Sequence, residues 1–554
     1  MRGFRLRQTR RTNPWPDAGG GRLGRALLAL AWLSCALYFL QVLNCTLTLR
    51  DDGIQALGAW RIAAGEMPYR DFFEIVPPVS MLPTALTFAL FGPGVLAWRF
   101  NALAVGLFLL WASDALLVHL GTGRTLRVAG LLFLGAFGVA FWAIPSHHWY
   151  ADAFQLAAMA LLARGAGSPR PAWTAFGAGA LTALSCFSMQ DQGGYFLLGL
   201  GLFFFPWIPD HAARKRLFLG WCTGGLVIAA ALLAWLLPSV SPGALWDQWF
   251  RFPLAHYKEV ASNSQGLFGG MGLLATFWSD GRWTGAPLYA LSLSGAALVM
   301  FALPFAAPIA LLAAAWRRRL PRETAGLLGA GAGAAVGCAL HRWSLTNLNW
   351  ATPALLVALL AALPRAGKER PQGRGALLRG SVAALLGLIA AVYGGVLFLE
   401  ARRGLTNPIE TPAGTVHALA SSEAAELRAV VGAVEEYVPK GAPLFCRGFL
   451  PTVNFLTLRP NPTRFNLLLH PGYNTDEQAE EVIRSLEARK EAHVLVAGDV
   501  LRGTPVEDFL LDHYFPVWSG GPYRLLRRRP EAVSPSPSAP TATDPAATPT
   551  PPRR

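Results

Sequence analysis

Charge is what this sequence has least of. Only 15% of its 554 residues are Asp, Glu, Lys or Arg, against about 25% in soluble domains. That shortage excludes an ordinary water-soluble fold. Cysteine is sparse too, with six residues at 35, 45, 186, 222, 338 and 446, five of them in apolar segments. Their scatter excludes a disulfide framework and offers no metal-ligand spacing, so they read as small core side chains. No small-residue cleavage site separates the first apolar run from the acids after it, which excludes a signal peptide there. No internal repeat of transporter type is visible.

What is present is hydrophobic length. The chain is 53% hydrophobic with a mean hydropathy of +0.36. Apolar runs longer than about 18 residues recur, which reads as a polytopic α-helical membrane protein. The net charge of +15 is then explained by basic loops on the cytoplasmic side rather than by nucleic acid. Residues 1–23 hold Arg2, Arg5, Arg7, Arg10, Arg11 and Arg22 and read as a basic cytoplasmic N-terminus before an uncleaved first span at 24–47.

Further candidate spans lie at 95–118, 126–145, 149–164, 172–189, 194–209, 217–238, 287–315, 324–341, 346–364 and 376–399. The run 79–91 is short and ends in Phe-Gly-Pro-Gly, which suits a re-entrant or interfacial segment. If it does not cross, the basic loops at Arg124/Arg127, Arg164/Arg170, Arg214/Lys215/Arg216, Arg317/Arg318/Arg319 and Arg365/Lys368/Arg370/Arg374 all fall inside. If it does cross, every one of them flips outside. The positive-inside rule therefore predicts eleven spans within 24–400, N-terminus in and C-terminus out. Residues 48–94 become the first outer loop. Residues 401–529, with the capping-box pattern Thr475…Gln478 and the strand-like "APLFCRG" and "HVLVAGD", predict a small α/β extracytoplasmic domain. The Pro-, Ala-, Ser- and Thr-rich tail 530–554 predicts disorder.

This topology gathers the unusual polar residues on the outer side. They are Asp51-Asp52, "PSHHWYAD" with His147 and His148, "MQDQGG" with Gln190, Asp191 and Gln192, and "HRWSLTNLNW" with His341, Arg342, Asn347 and Asn349. Asp51 and Asp52 are adjacent like charges, which raise one another's pKa unless compensated. A carboxylate at the membrane surface can take the proton of an attacking hydroxyl, and its neighbour can orient it, bind a metal or hold a sugar hydroxyl. The bland alternative is a pair of solvated helix caps. His147 and His148 can bind phosphate, sugar or metal, or belong to an interfacial aromatic belt with Trp149 and Tyr150. Asp191 can contact a sugar or merely mark a loop. Asp114 reads as paired or snorkelling, and Trp246, Trp249, Phe250 and Tyr257 as membrane-surface anchors.

"DDGIQALGAWRIAAGEMPYRDFFEIVPP" (51–78) resembles the first outer loop of the GT-C membrane glycosyltransferases. It is most similar to the bacterial branch around protein O-mannosyltransferases and the lipid A aminoarabinose transferase. The matching residues are Asp51-Asp52, Gly65, Pro68, Tyr69, Asp71, Phe72 and Pro77-Pro78, with Asp52 where the family usually has Glu. The resemblance implies transfer of a sugar from a polyprenyl-phosphate donor to a hydroxyl on a lipid, glycan or protein acceptor, with Asp51 as base. It implies a multi-pass protein of the bacterial cytoplasmic membrane, needs no cofactor, and leaves a divalent metal open. Arg342 is the expected cation at the lipid phosphate, since Arg can hold phosphate bidentately; interfacial snorkelling is its bland reading. Tyr69, Arg70, His147, His148 and Asp191 complete the expected substrate-binding set. The rival classes are a lipid-linked glycan transporter or flippase, which calls for ionisable groups at mid-depth, and a polymerase or ligase of another lipid-linked fold.

Overall fold

In hydrocarbon a backbone satisfies its own hydrogen bonds only as helix or closed barrel, and the apolar runs of this chain fold as helices. The computed structural model describes residues 22–45, 51–138, 143–165, 168, 170–260, 287–340, 344–363, 374–418, 421–448, 450–470, 473–498 and 503–530. Seven of the described helices are long and apolar enough to cross a membrane. They are α1 (Arg22–Cys45), α4 (Val95–His119), α9 (His211–Leu236), α12 (Pro287–Trp316), α13 (Arg322–Leu340), α14 (Leu345–Ala362) and α15 (Arg374–Gly404). The other four expected spans overlap α5 (Arg124–Phe137), α6 (His147–Gly165), α7 (Pro171–Cys186) and α8 (Gln190–Gly199), the last running on through a π-helical turn (Leu200–Phe204) and a 3₁₀ turn (Phe205–Trp207). Length and composition do not mark these as spans, because α5, α7 and α8 are short and α6 carries His147, His148, Asp152 and Gln155.

Small residues let this bundle close. A Cβ on Gly179 of α7 would stand 1.8 Å from the Trp221 carbonyl oxygen of α9, and one on Gly224 would stand 1.9 Å from that of Phe176. The two backbones therefore touch along their crossing, as small residues allow between helices in lipid. The Asp114 carboxylate is paired, as expected: Arg127 of α5 donates to both its oxygens at 2.7 and 2.8 Å, with both residues buried. Asp210 caps α9 by accepting from the backbone of Ala212 and Ala213, so that helix starts six residues before its apolar run.

Between α1 and α4 the chain forms α2 (Asp51–Ala63), a hairpin-like loop, a 3₁₀ turn at Pro78–Ser80 and α3 (Leu82–Phe91). This last pair is the expected non-crossing segment, apolar but shorter than a span. Leu86, Leu90 and Phe91 stay exposed while Thr84, Ala85 and Phe88 are buried. After α9 come α10 (Pro242–Trp246) and α11 (Phe252–Val260), separated by one π-helical turn. Trp246 and Phe250 are exposed, as anchors would be. Trp249, expected among them, is instead buried edge-on against Tyr69 and Phe187.

After α15 the chain turns mixed α/β. A two-stranded ribbon, β1 (Pro408–Ile409) and β2 (Val416–His417), precedes α16 (Ser421–Tyr437). Then follow β3 (Leu444–Arg447), α17 (Pro451–Thr457), α18 (Asp476–Ala488), β4 (His493–Ala497), α19 (Pro505–His513), β5 (Tyr514–Gly520) and β6 (Tyr523–Arg528). The sheet order is β3-β4-β6-β5, with β3 and β4 parallel and the remaining pairs antiparallel. Thr475 and Gln478 form a reciprocal capping box on α18. One hydrophobic core unites Ala56 and Ala59 of α2, Phe88 of α3 and Trp98 of α4 with Ile409, Val416, Leu427, Val431 and Phe455. The sheet-bearing segment thus shares a core with the first loop.

Candidate functional site

Among the helices that begin at the end of the bundle that carries the first loop are α2, α4, α6, α8 and α14. Each turns its unsatisfied N–H groups and the positive end of its dipole toward that end. Asp51 opens α2, and its side chain is outside what the structure describes. Asp52 is buried, 2% exposed. One turn along α2, the Gln55 amide nitrogen lies 3.0 Å from Nδ1 of His147, the first residue of α6. His148 is buried and stacks on Trp350 of α14, with ring centroids 3.4 Å apart. The structure thus joins the paired-acid helix to the His-His pair and to the start of α14.

The next turn of α6 holds an acid that sequence reading passed over. Asp152 is 1% exposed and its Oδ1 accepts from the Gln192 side-chain amide of α8. Gln155 donates to the Ser185 hydroxyl at 3.1 Å and to the Gln192 carbonyl at 3.2 Å. Asp152 Oδ2, Gln155 Oε1 and Gln192 Oε1 are buried acceptors without a hydrogen-bond partner. Asp191, beside them at the start of α8, accepts from the backbone N–H of Gln192 at 2.7 Å. A signal for Asp152 was legible. It stands four residues after His148, hence on the same face of a helix beginning at His147.

The loop after α2 closes over this end. Glu74 is buried and its Oε1 accepts from the backbone of Ile75 and Val76. Burial pushes its carboxyl up to about 7, against the lowering effect of those two N–H groups. Gln248 bridges the loop by accepting from the Glu74 N–H and donating to the Tyr69 carbonyl. Gln190 of α8 donates to the carbonyls of Ile75 and Trp249.

Tyr69 is set into this scaffold. It is 1% exposed, sits at φ +70, and its hydroxyl donates to the Val76 carbonyl at 2.8 Å. The geometry therefore uses Tyr69 to hold the loop. Arg70 is exposed and paired with Asp71, whose carboxyl it holds below the usual range, while Asp71 accepts from the Met67 N–H. Arg342 and His341 lie outside the described residues. Among the described residues, no group of three His, Cys, Asp or Glu side chains is placed to hold a metal ion.

No protein-family model matches this chain, and no curated protein sequence matches it. Solved structures do. The apo structure of ArnT from Cupriavidus metallidurans superposes with a TM-score of 0.55 at 16% identity, over 91% of this chain and 97% of that one. The same protein bound to undecaprenyl phosphate gives 0.53 at 13% identity and the same coverage. The arabinofuranosyltransferase AftD from Mycobacteria gives 0.51 at 14% identity, covering 94% of this chain and 40% of that one. The chain has the fold of the GT-C-like membrane glycosyltransferases, and the expected polytopic helical fold class holds.

Proposed function

We propose that this chain, built on the GT-C fold, is a membrane glycosyltransferase that moves a sugar from a polyprenyl-phosphate donor to an acceptor hydroxyl. One observation carries the reading. The first-loop helix opening with Asp51-Asp52 is joined, through Gln55 and His147, to buried polar side chains at one end of a lipid-embedded bundle. A bundle that only packs has no use for Asp152, Gln155 and Gln192 there with acceptor oxygens unpaired, because each such buried group costs about 1–3 kcal/mol. Sugar hydroxyls are the donors that would satisfy them.

In the proposed reaction the acceptor oxygen attacks the anomeric carbon as Asp51 takes its proton. The bond from that carbon to the phosphate oxygen breaks, and the lipid phosphate leaves with the bonding pair. Attack opposite the leaving group inverts the anomeric centre. Asp52, buried beside the base, orients it. Arg342 would neutralise the departing phosphate, helped by the positive ends of α6, α8 and α14. The undecaprenyl phosphate bound to the Cupriavidus ArnT supports a lipid-phosphate donor.

The test is transfer in vitro by purified protein, offered a polyprenyl-phosphate sugar or a UDP- or GDP-sugar. Turnover of the lipid donor alone is expected. Arg342→Ala should lose about 1.5–3 kcal/mol of donor use, the scale of a charged hydrogen bond, and Arg342→Lys less. Efficient turnover of a soluble nucleotide sugar without lipid would sink the proposal.

A further inference from the structure

The helix that carries the paired acids has only 13 residues, a length at which an isolated helix is marginal. Something else must fix its axis: α3, α4 and His147 of α6 pack along it, and the C-terminal domain meets it at its first and its last turn. At its first turn, a Cβ on Gly53 would stand 1.9 Å from the Thr452 nitrogen, 2.3 Å from the Pro451 carbonyl carbon and 2.4 Å from the Thr452 Cα. All three are backbone atoms of α17, so the two backbones cross in contact one residue after Asp52.

At its last turn stands Arg61, buried at 8% exposure. Its Nη1 donates to the Thr463 carbonyl at 2.9 Å and to Asn466 Oδ1 at 3.0 Å, both in the C-terminal domain. Its Nη2 donates to the Asp71 carbonyl at 2.9 Å and its Nε to Glu66 at 2.6 Å. The planar guanidinium thus ties α2, the following loop and the C-terminal domain into one unit, and no Lys has the donors to replace it. Gly53 and Arg61 are eight residues, or about 12 Å, apart along the helix. Two fixed points that far apart set both tilt and depth of a rod. The loop is held a third time, by the Phe73 N–H donating to the Arg464 carbonyl at 2.9 Å and by the Phe73 ring 5.6 Å from Phe465.

We propose that the C-terminal domain is the positioning element of the acid-bearing helix, acting through the Gly53 crossing and Arg61. Arg61 is a positioning residue on this reading: it touches no substrate and sets where Asp51 and Asp52 stand. The proposal rests on the reading of that pair as the reacting acids. A misplacement of about 1 Å can cost a reaction about a hundredfold.

The experiment uses the full chain in detergent, comparing wild type with Arg61→Met, Arg61→Lys and Gly53→Ala. Amide exchange over residues 51–63 and the kcat and KM of sugar transfer are both measured. Arg61→Met should speed exchange of that segment at least about tenfold and lower kcat about a hundredfold, with the KM for the lipid donor nearly unchanged. Arg61→Lys should recover part of both. Gly53→Ala separates the alternatives should Arg61→Met fail to fold. In a helix free of the domain, Ala is the better residue by about 1 kcal/mol and would slow exchange; against α17 it must speed exchange and lower kcat. Wild-type exchange and kcat in Arg61→Met, or slower exchange in Gly53→Ala, overturns the proposal. A wild-type chain that transfers no sugar defeats the functional reading, and the exchange data then decide the positioning claim alone.

Discussion

Asp51 and Glu74 are acids of one loop with opposite expected behaviour. Asp51→Asn keeps the shape and loses the base, so it should lower transfer by about a hundred- to ten-thousandfold while membrane-inserted protein stays at the wild-type amount. Asp52→Asn should cost less if Asp52 only orients its neighbour. An Asp51→Asn protein with near wild-type turnover removes that residue from the chemistry. Glu74 instead reports on folding. Its carboxyl titrates at about 7 in the fold against an ordinary 4.5. Between those values the folded chain keeps a proton that the unfolded chain has released. Stability should therefore fall as pH rises from about 4.5 to about 7 and level off above. In thermal unfolding at pH 5 and pH 8, Glu74→Gln should narrow the wild-type difference, and an unchanged difference would place the titration elsewhere.

At the scale of elements, the bundle depends on backbones that touch. The α7–α9 crossing leaves no room for a side chain at Gly179 or Gly224. Gly224→Val should lower the unfolding temperature in detergent and reduce the yield of folded protein. Gly225→Val, one residue on, has ordinary van der Waals space at 3.5 Å and should do far less. Equal effects would mean that general helix propensity, rather than the crossing, governs this site. The same reasoning explains why α6 is polar. Its first turns hold His147, His148 and Asp152 against α2, α14 and α8, and a purely apolar helix could not make those contacts.

At the scale of the molecule, the prediction is sidedness. Gly24, near the start of α1, lies against the Arg124 side chain at the start of α5. Both basic termini therefore share one end, away from the loop-bearing end where α2, α6, α8 and α14 begin. Reporter fusions after residues 122, 167, 213, 319 and 370 should report cytoplasm, and fusions after 147, 191, 260, 343 and 420 the outer side. An outer report at 213 or 319 would reverse the arrangement and take the assignment of the acids with it.

The sequence alone determined the polytopic helical class of this protein and supplied the address proposed for its chemistry. Scarcity of charge forces the apolar runs into lipid, sorting of Arg and Lys orders the ends, and "DDGIQALGAWRIAAGEMPYRDFF" is a local pattern that a reader meets in one pass. Thr475 and Gln478 were legible for the same reason, because a capping box is closed within four residues. Tertiary structure decided what depends on distant partners. Tyr69 reads as a ligand residue in the motif, yet its hydroxyl is committed to Val76 and its ring to Trp249, 180 residues away. Asp152 sits in an unremarked helix turn until Gln192 of another helix meets it. Arg61 carries no signal of its own in the sequence; Thr463 and Asn466, which it meets, lie 402 and 405 residues on. Periodicity and composition carry information about neighbours along the chain, whereas burial and pairing are properties of contacts between segments far apart in sequence, which exist only once the chain has folded.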